Sequence, residues 1–255
     1  MNEFVKEYTP KIQKILKKEG KALTKQIETL LEKMDFQKAN DKNDQVFVNM
    51  ADLVLNSLDQ SAWDEQLSKT ISSMTYDIYI AGMEDATSQL GGTFIADPKF
   101  HQFASDYSQE RSAELVGKRV LADGTIINNP NPNYSISDST RNMLKSDLVD
   151  SMEEGLTPAE IAKKLEGNYA FSEYRSTMIA RTETGFSWNS GSVKMYDHSG
   201  VKLLYVHDGD GDQDCIAANG QIWTTDYASG RLLQHPNCVR SFAPCLDPSA
   251  EPDEY

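Results

Sequence analysis

Along the first third of the chain, apolar residues recur at spacings of three and four: Phe4, Tyr8, Ile12, Ile15, Leu16, Leu23, Ile27, Leu30, Leu31 and Met34. A stripe on that period is one face of an amphipathic helix, here about 45 Å long at about 1.5 Å per residue. Pro10 brings no backbone donor, so the helix is expected to begin or bend there. The same period predicts a second helix over Val46–Leu58. A third runs through Leu67, Ile71, Met74 and Ile78 to about Gln89, where Gly91-Gly92 stops it. Phe103, Tyr107 and Leu115 mark a fourth over Phe100–Val116.

Residues 122–138 (ADGTIINNPNPNYSISD) are dense in Asn, Pro, Gly and Asp and predict a loop or short hairpin that could act as a hinge. Ser137 or Asp138 is placed to cap a helix bearing Met143, Leu144, Leu148, Val149 and Met152, closed by Gly155. Thr157-Pro158-Ala159-Glu160 combines a capping box with proline at the first helical position, and that short helix ends at Gly167. Ser172 opens another helix through Met178, Ile179, Thr182 and Phe186 to Gly191 or beyond. After Gly200 the pattern turns extended, with short strands at 201–206, 221–223 and 239–242. The expected class is α+β, a mainly helical body with a small β-containing C-terminal domain. Its expected parts are a helical region over 1–121, the hinge at 122–138, a C-terminal domain over 139–246 and an acidic tail over 247–255.

Charge narrows the choice of partners. The chain has 255 residues and a formal net charge of −14, which disfavours coating nucleic acid by general basicity. Residues 1–40 are the exception, with nine lysines against six acidic residues. Lys11, Lys14, Lys17 and Lys18 on that first helix are the candidate contacts to DNA or to an acidic partner surface; a solvated face of Lys/Glu pairs is the plainer account. No run of eighteen apolar residues predicts a membrane span. The charged N-terminal segment does not read as a signal peptide. Three cysteines are too few and too odd for a disulfide framework and fit a reducing compartment.

The chemistry-bearing residues gather in one stretch, His207–Cys245, which holds all three cysteines, two of the four histidines and four alternating aspartates. Cys215, His235, Cys238 and Cys245 have the softness to bind zinc. The competing account makes His235-Pro236-Asn237 a turn, with Cys215 and Cys238 packed as small apolar residues; a disulfide between them is a further option. Asp208, Asp210, Asp212 and Asp214 resemble the start of a calcium loop, but the sixth position is Gln213 and the twelfth Asn219, so the closing ligand is lacking. His207, Asp208 and His235 could instead serve a metal-dependent nuclease or toxin-like enzyme, in a field of carboxylates that repels phosphate unless a metal reverses it.

Two motifs in order carry a resemblance. IARTETGFSWNSG, Ile179–Gly191, follows the GLTPAEIAKKL helical segment, and DQDC…NGQ…HPNC follows from Asp212 to Cys238. Over roughly residues 105–245 this arrangement resembles the phage minor head protein family, the Mu F-like head morphogenesis proteins. The resemblance implies a non-enzymatic virion component at the portal vertex, inside the capsid, assembled in the host cytoplasm and sometimes involved in DNA ejection. Its implied partners are the portal protein and the major capsid or scaffolding protein. The signature positions are Arg181, Thr182, Glu183, Asn189, Asp214, Asn219, Gly220, His235 and Pro236. Arg181 and Glu183, two apart on a helix, point to different faces, and the expectation is that they tie the helix to the β-rich cap. The family pattern often has a CxxC after the acidic turn and a CRC after the HP dipeptide. Ala218 and Arg240 stand where those second cysteines would fall, so a four-cysteine cluster is impossible.

Overall fold

In a computed structural model, residues 1–34, 44–209 and 212–253 are described; the side chain of Asp44 is not. The class is α+β and mainly helical, with small antiparallel sheets of two and three strands. The helices are α1 Asn2–Met34, α2 Asp44–Asn56, α3 Ser61–Gln89, α4 Pro98–Leu115, α5 Ile136–Glu153, α6 Pro158–Glu166 and α7 Glu173–His198, followed by two short ones, α8 Gln213–Ala218 and α9 Thr225–Ser229. The strands are β1 Lys118–Val120, β2 Ile126–Asn128, β3 Leu203–His207, β4 Ile222–Thr224 and β5 Ser241–Pro244. No helix of the described residues is long and apolar enough to cross a membrane.

The contacts divide the chain into two compact units that are not contiguous in sequence. One comprises Met1–Tyr8, Ile71–Arg111 and Met178–Tyr255; the other comprises Thr9–Thr70 and Ser112–Thr177. The expected boundaries at 121 and 138 fall inside the second unit. The reason is local: β1 and β2 pair antiparallel, with Arg119 opposite Ile127, so a cut at 121 would split a hairpin. Helices α1, α3, α4 and α7 each carry residues of both units, and Pro10 lies inside α1 rather than at its start.

In the second unit, the predicted stripes form one core: Leu23, Ile27 and Leu31 of α1, Phe47, Val54 and Leu55 of α2, Leu144, Leu148 and Met152 of α5, and Ile161 and Leu165 of α6. The expected cap of α5 moves two residues upstream. Ser135 is extended and its side chain accepts from the Asp138 N–H, so Asp138 occupies the third helical position and Ser137 is buried within the helix. The Thr157/Glu160 capping box forms as read, with Pro158 in the first turn. Arg175 is fully buried and donates to Thr140 Oγ1, Ser139 Oγ and the carbonyls of Ile136 and Ala170.

In the first unit, α3, α4 and α7 pack with the three-stranded sheet, ordered β4-β3-β5 and wholly antiparallel. Leu204 and Val206 point inward with Trp223 and Phe242, while Tyr205 and His207 alternate outward. Helices α3 and α7 touch backbone to backbone: a Cβ on Gly82 would overlap the Trp188 carbonyl, and one on Gly191 would overlap the Tyr79 carbonyl. Ser192 Oγ adds a 3.0 Å bond to the Gly82 carbonyl. The expected acidic tail folds back in part. Asp253 accepts from the Ile222 N–H through its carboxylate at 2.6 Å and donates its own N–H to the Ile222 carbonyl at 2.9 Å. Glu254 and Tyr255 lie outside the described residues.

Candidate metal centre

The site forms where β3 ends. Alternation along β3 leaves His207 exposed, and Asp208 follows it with a side chain that is fully buried. Gly209 then takes φ 135°, in the region favouring glycine. Asp210 and Gly211 lie outside the described residues. Asp212 caps α8, its Oδ1 accepting from the Cys215 N–H at 3.0 Å. That cap sets the rotation of the short helix: Cys215 and Ala218 face inward, and Ile216 is exposed. Asn219 closes the loop by accepting from the Asp208 N–H at 3.0 Å. Gly220, at φ 83°, donates to the Val206 carbonyl and returns the chain to β4.

The second half is a tight turn. The Cys238 N–H donates to the His235 carbonyl at 3.1 Å, Pro236 is second in the turn, and Asn237 is third at φ 63°. Proline second and a positive-φ Asn third are what a type II turn requires. This turn brings His235 and Cys238 to the same side. His235 Nε2 lies 3.2 Å from Cys215 Sγ, and the two sulfurs are 3.9 Å apart. The three ligand atoms lie within 4.8 Å of one another. His235 Nδ1 is 2.8 Å from the Pro236 carbonyl; donation there fixes the proton on Nδ1 and leaves Nε2 as a bare lone pair. The expected turn and three of the four expected ligands form one arrangement.

Cys245, expected as a fourth ligand, is not in this group. Its N–H bonds the Leu203 carbonyl at the opposite end of β3, while Ser241 pairs with His207. Four residues of strand separate those positions, about 13 Å. Cys245 instead borders an open cleft of about 810 Å³ with Phe94, Phe100 and Leu246.

Two buried ionic contacts support the site, and sequence reasoning missed both. Arg240 Nε meets Asp208 Oδ2 at 2.7 Å with neither side chain exposed, and Arg240 also donates to the Arg231 carbonyl. Glu183 receives Arg111 through two bonds of 2.7 and 2.9 Å. The only sequence hint was Arg240 at a position where the resemblance implies cysteine; Arg111 carried no signal.

The signature helix is tied to the cap as expected, but through other residues. Thr182 Oγ1 accepts from the Asn237 N–H. Asn189 Nδ2 donates to the carbonyls of Leu232 and Arg240 at 2.9 and 2.8 Å. Glu183 serves α4, not the cap. Arg181 is exposed and makes no hydrogen bond or ion pair among the described residues; it lines a small cleft of about 110 Å³ with Gly185, Asn237, Cys238 and Arg240.

Of the would-be calcium loop, the three described aspartates serve different partners. Asp208 pairs with Arg240, Asp212 caps α8 and lies 3.8 Å from His235 Nε2, and exposed Asp214 accepts from Gln234. His207, Asp208 and His235, the nuclease candidates, differ likewise: His207 is exposed, Asp208 is locked to Arg240, and His235 sits on the cysteines. Burial, the Cys238 thiol beside it and the Asp208 charge push the Cys215 thiol up to about 12, so without a cation it is not a thiolate nucleophile at neutral pH. Asp212 is pulled below its ordinary range, first by the Cys215 N–H it accepts.

No protein-family model, curated protein or solved structure matches this chain.

Proposed function

We propose that this chain is a minor head protein of a tailed phage, docked at the portal vertex and acting in head assembly and DNA ejection. The observation that supports this reading is the mutual dependence of its two signature segments. Thr182 of the ARTETGFSWN helix binds the backbone of Asn237 within the HPNC turn, and Asn189 binds that of Leu232 and Arg240 on either side of it. Residues that hold each other in place make the two motifs one structural unit. The role is assembly: a cap tied to the signature helix gives a defined element, and the exposed lysines Lys11, Lys14, Lys17 and Lys18 of α1 stand ready for an acidic partner or DNA. The portal protein is the principal partner, with the major capsid or scaffolding protein as further candidates.

Co-expression with the portal protein encoded beside it tests this reading. A complex of fixed stoichiometry that survives size exclusion is the expected result. Failure to associate, together with metal-dependent nicking of DNA that His235→Ala abolishes, would replace it with the nuclease reading.

A further inference from the structure

We propose that Cys215, His235, Cys238 and Asp208 are the four ligands of one structural zinc ion that clasps the C-terminal cap. The inference does not rest on the assembly reading and holds whatever the protein's partner.

The spacing fits an ion. Tetrahedral zinc with bonds of about 2.3 Å to sulfur and 2.0–2.2 Å to nitrogen or oxygen puts sulfurs about 3.8 Å apart and sulfur about 3.6 Å from nitrogen or oxygen. The Cys215–Cys238 separation is 3.9 Å, Cys215 to His235 Nε2 is 3.2 Å, and Cys238 Sγ lies 3.8 and 3.9 Å from the two Asp208 oxygens. Cys215, His235 and Cys238 are therefore close to the spacing of ligands on one ion, while Asp208 lies beside Cys238 but outside their group and completes the tetrahedron by a shift of its carboxylate. The donor set of two sulfurs, an imidazole and a carboxylate suits zinc and not a hard cation such as calcium, which takes oxygen ligands.

Asp208 is assigned as the fourth ligand by its environment. Cys245 is at the other end of β3. Asp212 places its Oδ2 3.8 Å from His235 Nε2, but it commits Oδ1 to capping α8 and is half exposed, with no outer partner among the described residues holding it toward the sulfurs. Asp208 is buried, both its oxygens face Cys238, and Arg240 holds one of them as an outer partner of the kind that orients a ligating carboxylate. The charges also close: two thiolates offset the zinc, and Arg240 offsets Asp208, so the buried cluster gains no net charge. His235 is oriented by its own Nδ1 bond to the Pro236 carbonyl.

The loop end of the cap, where the site lies, has need of such a clasp. The apolar cluster around the site is small, holding Leu233 and Phe186 beside the two cysteines. The four ligands come from the end of β3, from α8 and from the 235–238 turn, three segments with little sheet or helix between them. Metal binding supplies folding free energy where a core is thin.

The test uses the full chain purified under reducing conditions without chelator, and the stripped chain reloaded with zinc(II) or cobalt(II) alone. One zinc per chain is expected, with cobalt giving tetrahedral visible bands and thiolate charge-transfer absorption. Cys215→Ser and Cys238→Ser abolish it; Cys245→Ser keeps it. Asp208→Asn, which preserves shape and an acceptor for Arg240, shifts the cobalt bands and weakens zinc by at least about tenfold, the low end of losing even an outer partner. Asp212→Asn changes neither. Reduced wild-type chain that takes up no stoichiometric metal, or that carries iron or copper in its place, overturns the zinc site. Loss of metal in Cys245→Ser, or a spectral shift in Asp212→Asn but not Asp208→Asn, overturns the ligand assignment.

Discussion

Asp208 and Arg240 meet at 2.7 Å with neither side chain exposed, joining the residue after β3 to the residue before β5. A buried pair of this kind is weak evidence of net stabilisation, but breaking one side leaves an uncompensated charge. Arg240→Met is therefore expected to lower unfolding stability by about 3–5 kcal/mol. The double variant Asp208→Asn/Arg240→Met should recover much of that loss in chelated protein. Denaturant titrations of the three chains check it; an additive double variant would show that the two residues do not act as a pair.

Asn189 donates its amide nitrogen to two carbonyls, those of Leu232 and Arg240. Its replacement by Leu should cost about 1–3 kcal/mol for each buried acceptor left without a donor. Asn189→Asp should be worse, because a carboxylate faces the same two oxygens. Hydrogen exchange should report the loss at 231–241 before anywhere in the second unit.

Gly82 and Gly191 let α3 and α7 approach within backbone contact. Gly191→Ala gains helix propensity of about 1 kcal/mol in isolation, yet it drives a methyl into the Tyr79 carbonyl. A net destabilisation of about 1–3 kcal/mol, as for an overpacked core, is expected in a thermal melt. A more stable Gly191→Ala chain would contradict the close crossing.

In the second unit, burial first, then the charges of Asp64 and Asp59, push the Glu19 carboxyl up to about 7 from an ordinary 4.5. The folded chain thus holds the proton more tightly than the unfolded chain. The resulting stability is complete below about pH 4.5 and is lost as pH rises through about 7. Glu19→Gln should remove that fall and be the more stable chain above neutrality. Melts across this pH range compare the two; parallel curves would refute the assignment.

Lys11, Lys14, Lys17 and Lys18 are all exposed on α1. If they bind DNA phosphates, replacing them with Gln should reduce the slope of log affinity against log salt by about 0.9 for each phosphate no longer neutralised. An unchanged slope removes DNA as the partner of this helix.

Much of this was legible in the chain, and for identifiable reasons. The stripe of α1, the Thr157 capping box and the type II turn at Pro236-Asn237 depend on residues within a few positions of one another, where spacing and φ preference decide the outcome. The cap of α5 was misplaced by two residues because Ser135, Ser137 and Asp138 all suit that role; Ser135 accepts from the Asp138 N–H, while Ser137 donates to Asp64 of α3 instead.

Local spacing was enough to settle the long helices, the α+β class and the turn that brings His235 and Cys238 to one side; the short helices α8 and α9 and the meeting of Cys215 with that turn were decided by packing. Long-range packing alone settled where distant segments meet: Asp208 rather than Cys245 beside the sulfurs, Arg240 on Asp208, Arg111 on Glu183, and two units that cut across the chain order. Those choices follow from strand register and from burial of charge, which act between residues tens of positions apart and leave no period in the sequence.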